Sequence, residues 1–284
     1  MPVIVGILLI IGSCVTGYVL NGGVLMALFQ PFELLIIAGS ALGAMFIANP
    51  MDVSLGALKC FGTLFKGPKY TKTFYLELLA LMFQIFNKMR REGLIAIEAD
   101  IDDPHASPVF SNYPDLLKDH HSIEFVCDYL RIMMAGDMAP TELENLMDVE
   151  LETHHHDSMQ IPTVWQNMGD ALPGFGIVAA VMGIVITMGA LGGPPEELGH
   201  HVGAALVGTF LGILLAYGFA GPFSTALGHK AHDEGTFYQV IKVCLMASVH
   251  GTAPKIAVEF GRKCIPHKNR PTFTELEERV KQAK

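Results

Sequence analysis

Two apolar runs dominate the hydropathy pattern between Asp170 and Ser224: DALPGFGIVAAVMGIVITMGALGG and VGAALVGTFLGILLAYGFAGPFS, parted by the polar turn PPEELGHH. Each is roughly 20 residues long, which is what a helix needs to cross a bilayer at 1.5 Å per residue. The pattern predicts a transmembrane hairpin with spans over 171–192 and 202–224. Two more charge-poor runs precede it. No Lys or Arg precedes Val3–Leu20, as the basic lead-in of a secretory signal would require, and the run reads as a retained span. Phe32–Ala48 opens next to Glu33, placed at the interface, and stops at Asn49-Pro50.

The charges orient these spans. All 19 Lys and Arg residues fall between Lys59 and Arg131 or from Lys230 onward, and none lies in 1–50 or 171–224. The positive-inside rule puts both polar regions and both termini in the cytoplasm, with the two short turns outside. The expected layout is a first hairpin in 1–50, a cytoplasmic helical domain in 51–170, a second hairpin in 171–224 and a cytoplasmic segment in 225–284. The fold class is an all-α integral membrane protein: four transmembrane helices with a large helical cytoplasmic domain, surrounded by membrane lipid.

Within 51–170 the period is helical. Thr71 to Gly93 carries Phe74, Leu78, Leu81 and Ile85 at helical spacing, and ends in KMRREG with cations in the last turn and a glycine stop. Ser122 to Gly136 is a second amphipathic helix. Thr141 with Glu144 reads as a capping box opening a third, which runs toward the hairpin with a kink or break at Pro162.

Composition agrees, at 51% hydrophobic and 17% charged residues with mean hydropathy +0.39. A net charge of −9 argues against nucleic acid. Five cysteines show no paired spacing and read as reduced or buried. His154-His155-His156 point in different directions on a helix, and Asp100, Asp102 and Asp103 lack the glycine and terminal Glu of a calcium loop, so neither predicts a metal. No nucleotide, hydrolase or zincin motif occurs, so no enzyme and no cofactor is expected.

The hairpin's polar positions carry the candidate chemistry. Measured from Pro173 and Pro222, taken at one membrane face, Thr187 and Thr209 fall at matching depth, about 20 Å in. Gly208 and Gly212 form a G-x-x-x-G pair for close backbone approach. Small residues and back-bonded threonines are also ordinary packing features of membrane helices. No charged residue occupies a span interior, where one costs at least ~2.5–3.5 kcal/mol and usually marks an ion path. Asp170, at the inner mouth of the third span, is the nearest acid. If ions move, another polypeptide supplies the titrating group.

MGDALPGFGIVAAVMGIV, VGTFLGILLAYGFAGP and AVEFGRKCIPHKNRPTFTELEE, with YTK near Tyr70 and KMRREGLIAIEADIDDP, resemble the MotA family of flagellar motor stator subunits. The resemblance spans nearly the whole chain, and its four-span layout matches the longer, proton-driven branch. It implies a homopentamer around two copies of MotB, whose single span carries the proton-accepting Asp, in the bacterial inner membrane. It also implies that Pro173 and Pro222 couple protonation to shape change. Thr209 would face the MotB carboxylate, Asp170 would lie at the channel's inner mouth, and Thr187 and Tyr217 would line the path. Arg90 and Glu98 would engage the rotor protein FliG. The alternative is a TolQ/ExbB-type energising subunit, which is similar in the second hairpin but lacks the first span pair. The hydroxyls suit a proton or a sodium path.

Overall fold

The computed structural model describes residues 2–189, 191–192 and 194–282. Among the described residues there are helices and turns but no strand. In chain order the longer elements are α1 (Pro2–Leu20), α2 (Pro31–Ala48), α3 (Met51–Lys59), α4 (Lys72–Glu92), α5 (His120–Ala135), α6 (Pro140–Gly189), α7 (Pro195–Leu215), α8 (Gly221–Val249), α9 (Pro254–Cys264) and α10 (Phe273–Gln282). A π-helical turn, Ala216–Ala220, joins α7 to α8. Four stretches are long and apolar enough to cross a membrane: Pro2–Leu20, Leu25–Ala48, part of Pro140–Gly189, and part of Leu198–Val249. This is a multi-pass helical membrane protein. It divides into two compact units, Met1–Gly67 with Ser158–Lys230 and Pro68–Asp157 with Ala231–Lys284.

Several helix boundaries differ from the expected ones. Pro162 does not break the chain, because α6 runs through both Pro162 and Pro173 for 50 residues. Pro162 is buried, and the Ser224 hydroxyl donates to its carbonyl at 2.8 Å. Packed neighbours of this kind let a membrane helix keep an interior proline. The third apolar run stops being helical after Gly189, short of 192; Ala190 and Gly193 lie outside the described residues. The fourth does not end as a helix at 224, since apolar composition stops there but no helix breaker follows. Helix α6 opens at Pro140, where Glu142 accepts from the Ala139 N–H at 3.2 Å. The expected Thr141–Glu144 box does not form, and Glu144 lies 3.7 Å from the Lys242 ammonium.

In the membrane unit, Ile37 and Ala41 of α2 pack with Leu172 and Ala179 of α6 and with Ala216 and Ala220 of the π turn. Farther along α6, the Trp165 indole N–H donates to the Ala57 carbonyl at 3.1 Å, and Phe223 stacks edge-on against its ring. Helix α1 buries no residue, and Ile47 is 90% exposed although strongly apolar. Such all-round hydrophobic surface is stable only against lipid or other apolar chains.

The second unit is built around α4, which buries nine residues, among them Tyr75, Leu79, Met82 and Phe86. The Phe74 N–H donates to Thr71 at 3.3 Å to cap its start. Helices α9 and α8 press close: a Cβ at Gly261 would stand 2.2 Å from the Cys244 sulfur, so only glycine fits. Arg262 ties down the tail, donating to Glu259 at 2.7 Å and to the Pro271 carbonyl at 2.9 Å. All five cysteines are free, and burial pushes the Cys127 thiol up to about 12, which keeps it protonated and inert.

Candidate functional site

The hairpin is held by a seam of small residues between α6 and α7. A Cβ added at Gly212 would lie 2.8 Å from the Gly176 Cα and 2.8 Å from the Leu172 carbonyl oxygen. One at Gly183 would lie 2.9 Å from the Ala205 Cβ, and one at Gly208 would lie 3.3 Å from the Ala179 Cβ. The G-x-x-x-G pair therefore serves the close approach its spacing suggested, with Gly176 and Gly183 supplying the opposite side.

This seam fixes the register and corrects the depth of the two threonines. With Gly176 level with Gly212, Thr209 sits about 5 Å along the hairpin and Thr187 about 17 Å, at 1.5 Å per residue. They are roughly 12 Å apart in depth and do not face each other. The two prolines are not level, because backbone contact at the glycines offsets them. Thr187 is 6% exposed and donates to its own helix, to the Gly183 carbonyl at 2.8 Å. Thr209 is half-buried, its Cα near Gly176, and its hydroxyl makes no hydrogen bond among the described residues. Of the two threonines, Thr209 is the one whose hydroxyl proton is not already donated to a carbonyl among the described residues.

Toward the other end, Pro173 lacks the N–H that would meet the Gly169 carbonyl. Gly169 abuts the π turn, its Cβ position 3.4 Å from the Gly221 nitrogen and 3.5 Å from the Ala220 Cβ. The π turn ends where Pro222 begins to bar an ordinary helical bond, and the Gly221 N–H reaches back five residues to Ala216. Two weakened helical segments thus meet at one level. Tyr217, inside the π turn, is 74% exposed and points away from the seam. Asp170 is exposed and accepts from the Gln166 amide at 3.1 Å.

Glu33 does not lie where the sequence places it. Instead of resting at the interface, it packs on the seam: a Cβ at Gly208 would meet its Cγ at 3.6 Å. Its Oε2 is shut from solvent and, among the described residues, has no hydrogen-bond partner.

In the second unit, α4 ends at Glu92, and Gly93 turns the chain with φ +93°. That left-handed conformation favours glycine. A 3₁₀ turn, Leu94–Ile97, then leads into Glu98. A buried clasp folds this segment back: Asp100, 4% exposed, accepts from Lys88 at 2.7 Å and from Ser107 at 2.6 Å. The clasp joins a residue two before Arg90 to one two after Glu98. Both Arg90 and Glu98 are exposed and, among the described residues, form no ion pair. Most of the acidic cluster's other charges serve structure: Asp103 caps the next turn, and Asp102 faces Arg131 at 3.7 Å.

A glycine-seamed pair of long apolar helices defines a multi-pass membrane subunit. Residues 118–239 match the MotA/TolQ/ExbB proton channel family, and residues 4–93 match the family described as Motility protein A N-terminal. The chain is 44% identical over 284 residues to Motility protein A of Escherichia coli, covering 100% of this chain and 96% of that one. It is 37% identical to chemotaxis protein LafT of Vibrio parahaemolyticus, covering 98% and 97%. The flagellar MotAB stator complex of Bacillus subtilis contains a chain of the same fold, with TM-score 0.73, 26% identity and 94% and 96% covered. The C. jejuni MotAB structure matches in fold with TM-score 0.78 at 20% identity, covering 96% and 98%. The chain belongs to the motility protein A family of flagellar stator subunits.

Proposed function

We propose that this chain forms, as a homopentamer around two copies of MotB in the bacterial inner membrane, a proton-driven stator that exerts torque on the rotor protein FliG. Both termini lie in the cytoplasm. The observation that carries this reading is the free Thr209 hydroxyl on a hairpin that carries no Lys or Arg. It is a ready partner for a carboxyl on another polypeptide, and MotB supplies that group as the proton acceptor. Asp170 lies at the inner mouth, Tyr217 faces the neighbouring chain or the partner, and Thr187 holds the outer end of α6.

Protonation of the partner's carboxylate removes a charge from an apolar site and changes which packing of the hairpin is favoured. The bistable element is the level where Pro173 meets the π turn before Pro222. Its rearrangement moves the charged unit, and Arg90 and Glu98 engage charges on FliG, setting register more than affinity.

Reversal of one rotor-facing charge tests the last step. Arg90→Glu should leave membrane assembly and ion conduction intact, because the side chain is exposed and unpaired, while swimming speed falls severalfold. A compensating charge reversal on FliG should restore part of the speed. Normal swimming, or failure of every rotor reversal to restore it, would count against direct pairing.

A further inference from the structure

We propose that the segment following α2, residues 51–66, is a docking site for anionic lipid headgroups of the inner leaflet, gripped by Lys59, Lys66 and Lys230. Its placement at the cytoplasmic face rests on the stator reading above. Helix α3 begins three residues after α2 ends at Ala48, and a 3₁₀ stretch, Cys60–Phe65, continues it. One face packs inward. Ser54 and Ala57 are buried there, and Ala57 clusters with Met45 of α2 and Val164 of α6. The other face is apolar and open: Met51, Leu55 and Leu58 recur at helical spacing, Phe61 and Phe65 extend the stripe, and all five are exposed.

The segment sits at headgroup depth. Trp165, the chain's one tryptophan, donates to the Ala57 carbonyl at 3.1 Å. It lies about 36 Å along α6 from Gly189, at 1.5 Å per residue. A hydrocarbon core is about 30 Å thick and its headgroup layers bring the whole to about 40–45 Å, so the indole falls in the inner layer. Tryptophan is enriched at that level of a bilayer. Phe61 lies 6.1 Å from the Trp165 ring and meets Phe223 edge-on at 5.2 Å.

Three ammonium groups border the stripe. Lys230 donates to the Thr63 carbonyl and, at 3.4 Å, to the Lys66 carbonyl, which brings its charge onto the turn that carries Lys66. Lys59 closes α3. None of the three forms an ion pair among the described residues. The one acid within 51–66, Asp52, stands in the first turn of α3, at the far end from Lys66. Positive charge beside an open apolar stripe at headgroup depth is complementary to a lipid phosphate above its acyl chains. A second copy of the chain fits less well, since the buried centre of a protein interface is depleted of lysine. Ile47, one residue from the end of α2, makes the stripe continuous with an exposed apolar face of that span. The bound headgroup anchors the inner end of α6 through the Trp165–Ala57 hydrogen bond.

Lys59→Gln with Lys66→Gln removes two charges at exposed positions and leaves Lys230 to hold the 3₁₀ turn. The full chain, assembled with its cognate single-span partner, would be delipidated in detergent and titrated separately with phosphatidylglycerol, phosphatidylcholine and inorganic phosphate. The readout is the thermal unfolding midpoint. Phosphatidylglycerol should raise the wild-type midpoint at concentrations where phosphatidylcholine and inorganic phosphate do not. The double variant should need about thirtyfold more phosphatidylglycerol, at about fivefold for each lysine near an anionic surface. Lys59→Arg with Lys66→Arg should match wild type. Raising salt to about 1 M, where the Debye length is about 3 Å, should weaken the wild-type response without any substitution. Equal phosphatidylglycerol dependence in wild type and double variant would overturn the proposal. So would protection by inorganic phosphate at the same concentration, which marks a free-anion site, or a midpoint that no lipid moves, which leaves the stripe to a second copy. Each of these outcomes leaves proton-driven swimming, and with it the stator reading, untouched.

Discussion

Gly212→Leu should abolish torque and prevent the second hairpin from packing. The added Cβ alone would stand 2.8 Å from the Gly176 Cα and 2.8 Å from the Leu172 carbonyl oxygen, and both obstacles are backbone that has no rotamer to change. Overpacking in a core ordinarily costs about 1–3 kcal/mol, and more when the obstacle is main chain. The helices would have to separate, taking Ile37, Ala179 and Ala216 out of contact. The measurement is the yield of intact complex from membranes together with motility; Gly203→Ala, with nothing within 4 Å of its new Cβ, is the control. A Gly212→Leu protein that assembles and swims would show that the seam is not the native register.

Pro173→Ala should act in opposite directions on stability and on function. Alanine restores an N–H for the Gly169 carbonyl and removes the ring clash, a change worth up to about 3 kcal/mol in a helix interior. The solubilised complex should therefore resist heat as well as wild type or better. Torque should nevertheless fall severalfold, because a stiffened α6 no longer yields opposite the π turn. The check is a thermal unfolding curve beside a tethered-cell torque measurement on the same variant. Normal torque with unchanged or raised stability would remove Pro173 from the coupling.

The architecture was largely legible because its strongest determinants are one-dimensional. The absence of Lys and Arg from 1–50 and 171–224 is a property of the string, and so are the glycines at 208 and 212. The helix over Thr71 to Gly93 and its glycine stop obey local chemistry and fall where the spacing predicts. Relative height between helices is different. The sequence offers landmarks such as Pro173 and Pro222, but the register is set by which backbones touch, and Gly176 against Gly212 shifts the helices so that Thr187 and Thr209 part. Glu33 was misplaced for the same reason. Counted from the start of its own run it is terminal, whereas counted along α6 it is well inside.

Gly93 interrupted any helical-wheel argument linking Arg90 to Glu98. What connects them is the buried Lys88–Asp100–Ser107 clasp, a contact that residue spacing does not announce. Among the described residues no cluster of three metal-ligating side chains is assembled, the three adjacent histidines included.

The central claim is that proton flow through this subunit and its single-span partner becomes torque. Its most direct test is swimming speed in cells lacking their own stators, complemented with this chain and its cognate partner, while the proton and sodium gradients are varied separately. Speed that follows the proton gradient and ignores sodium is the predicted result. Speed that follows sodium, or immotile cells whose membranes hold the assembled complex, would contradict it.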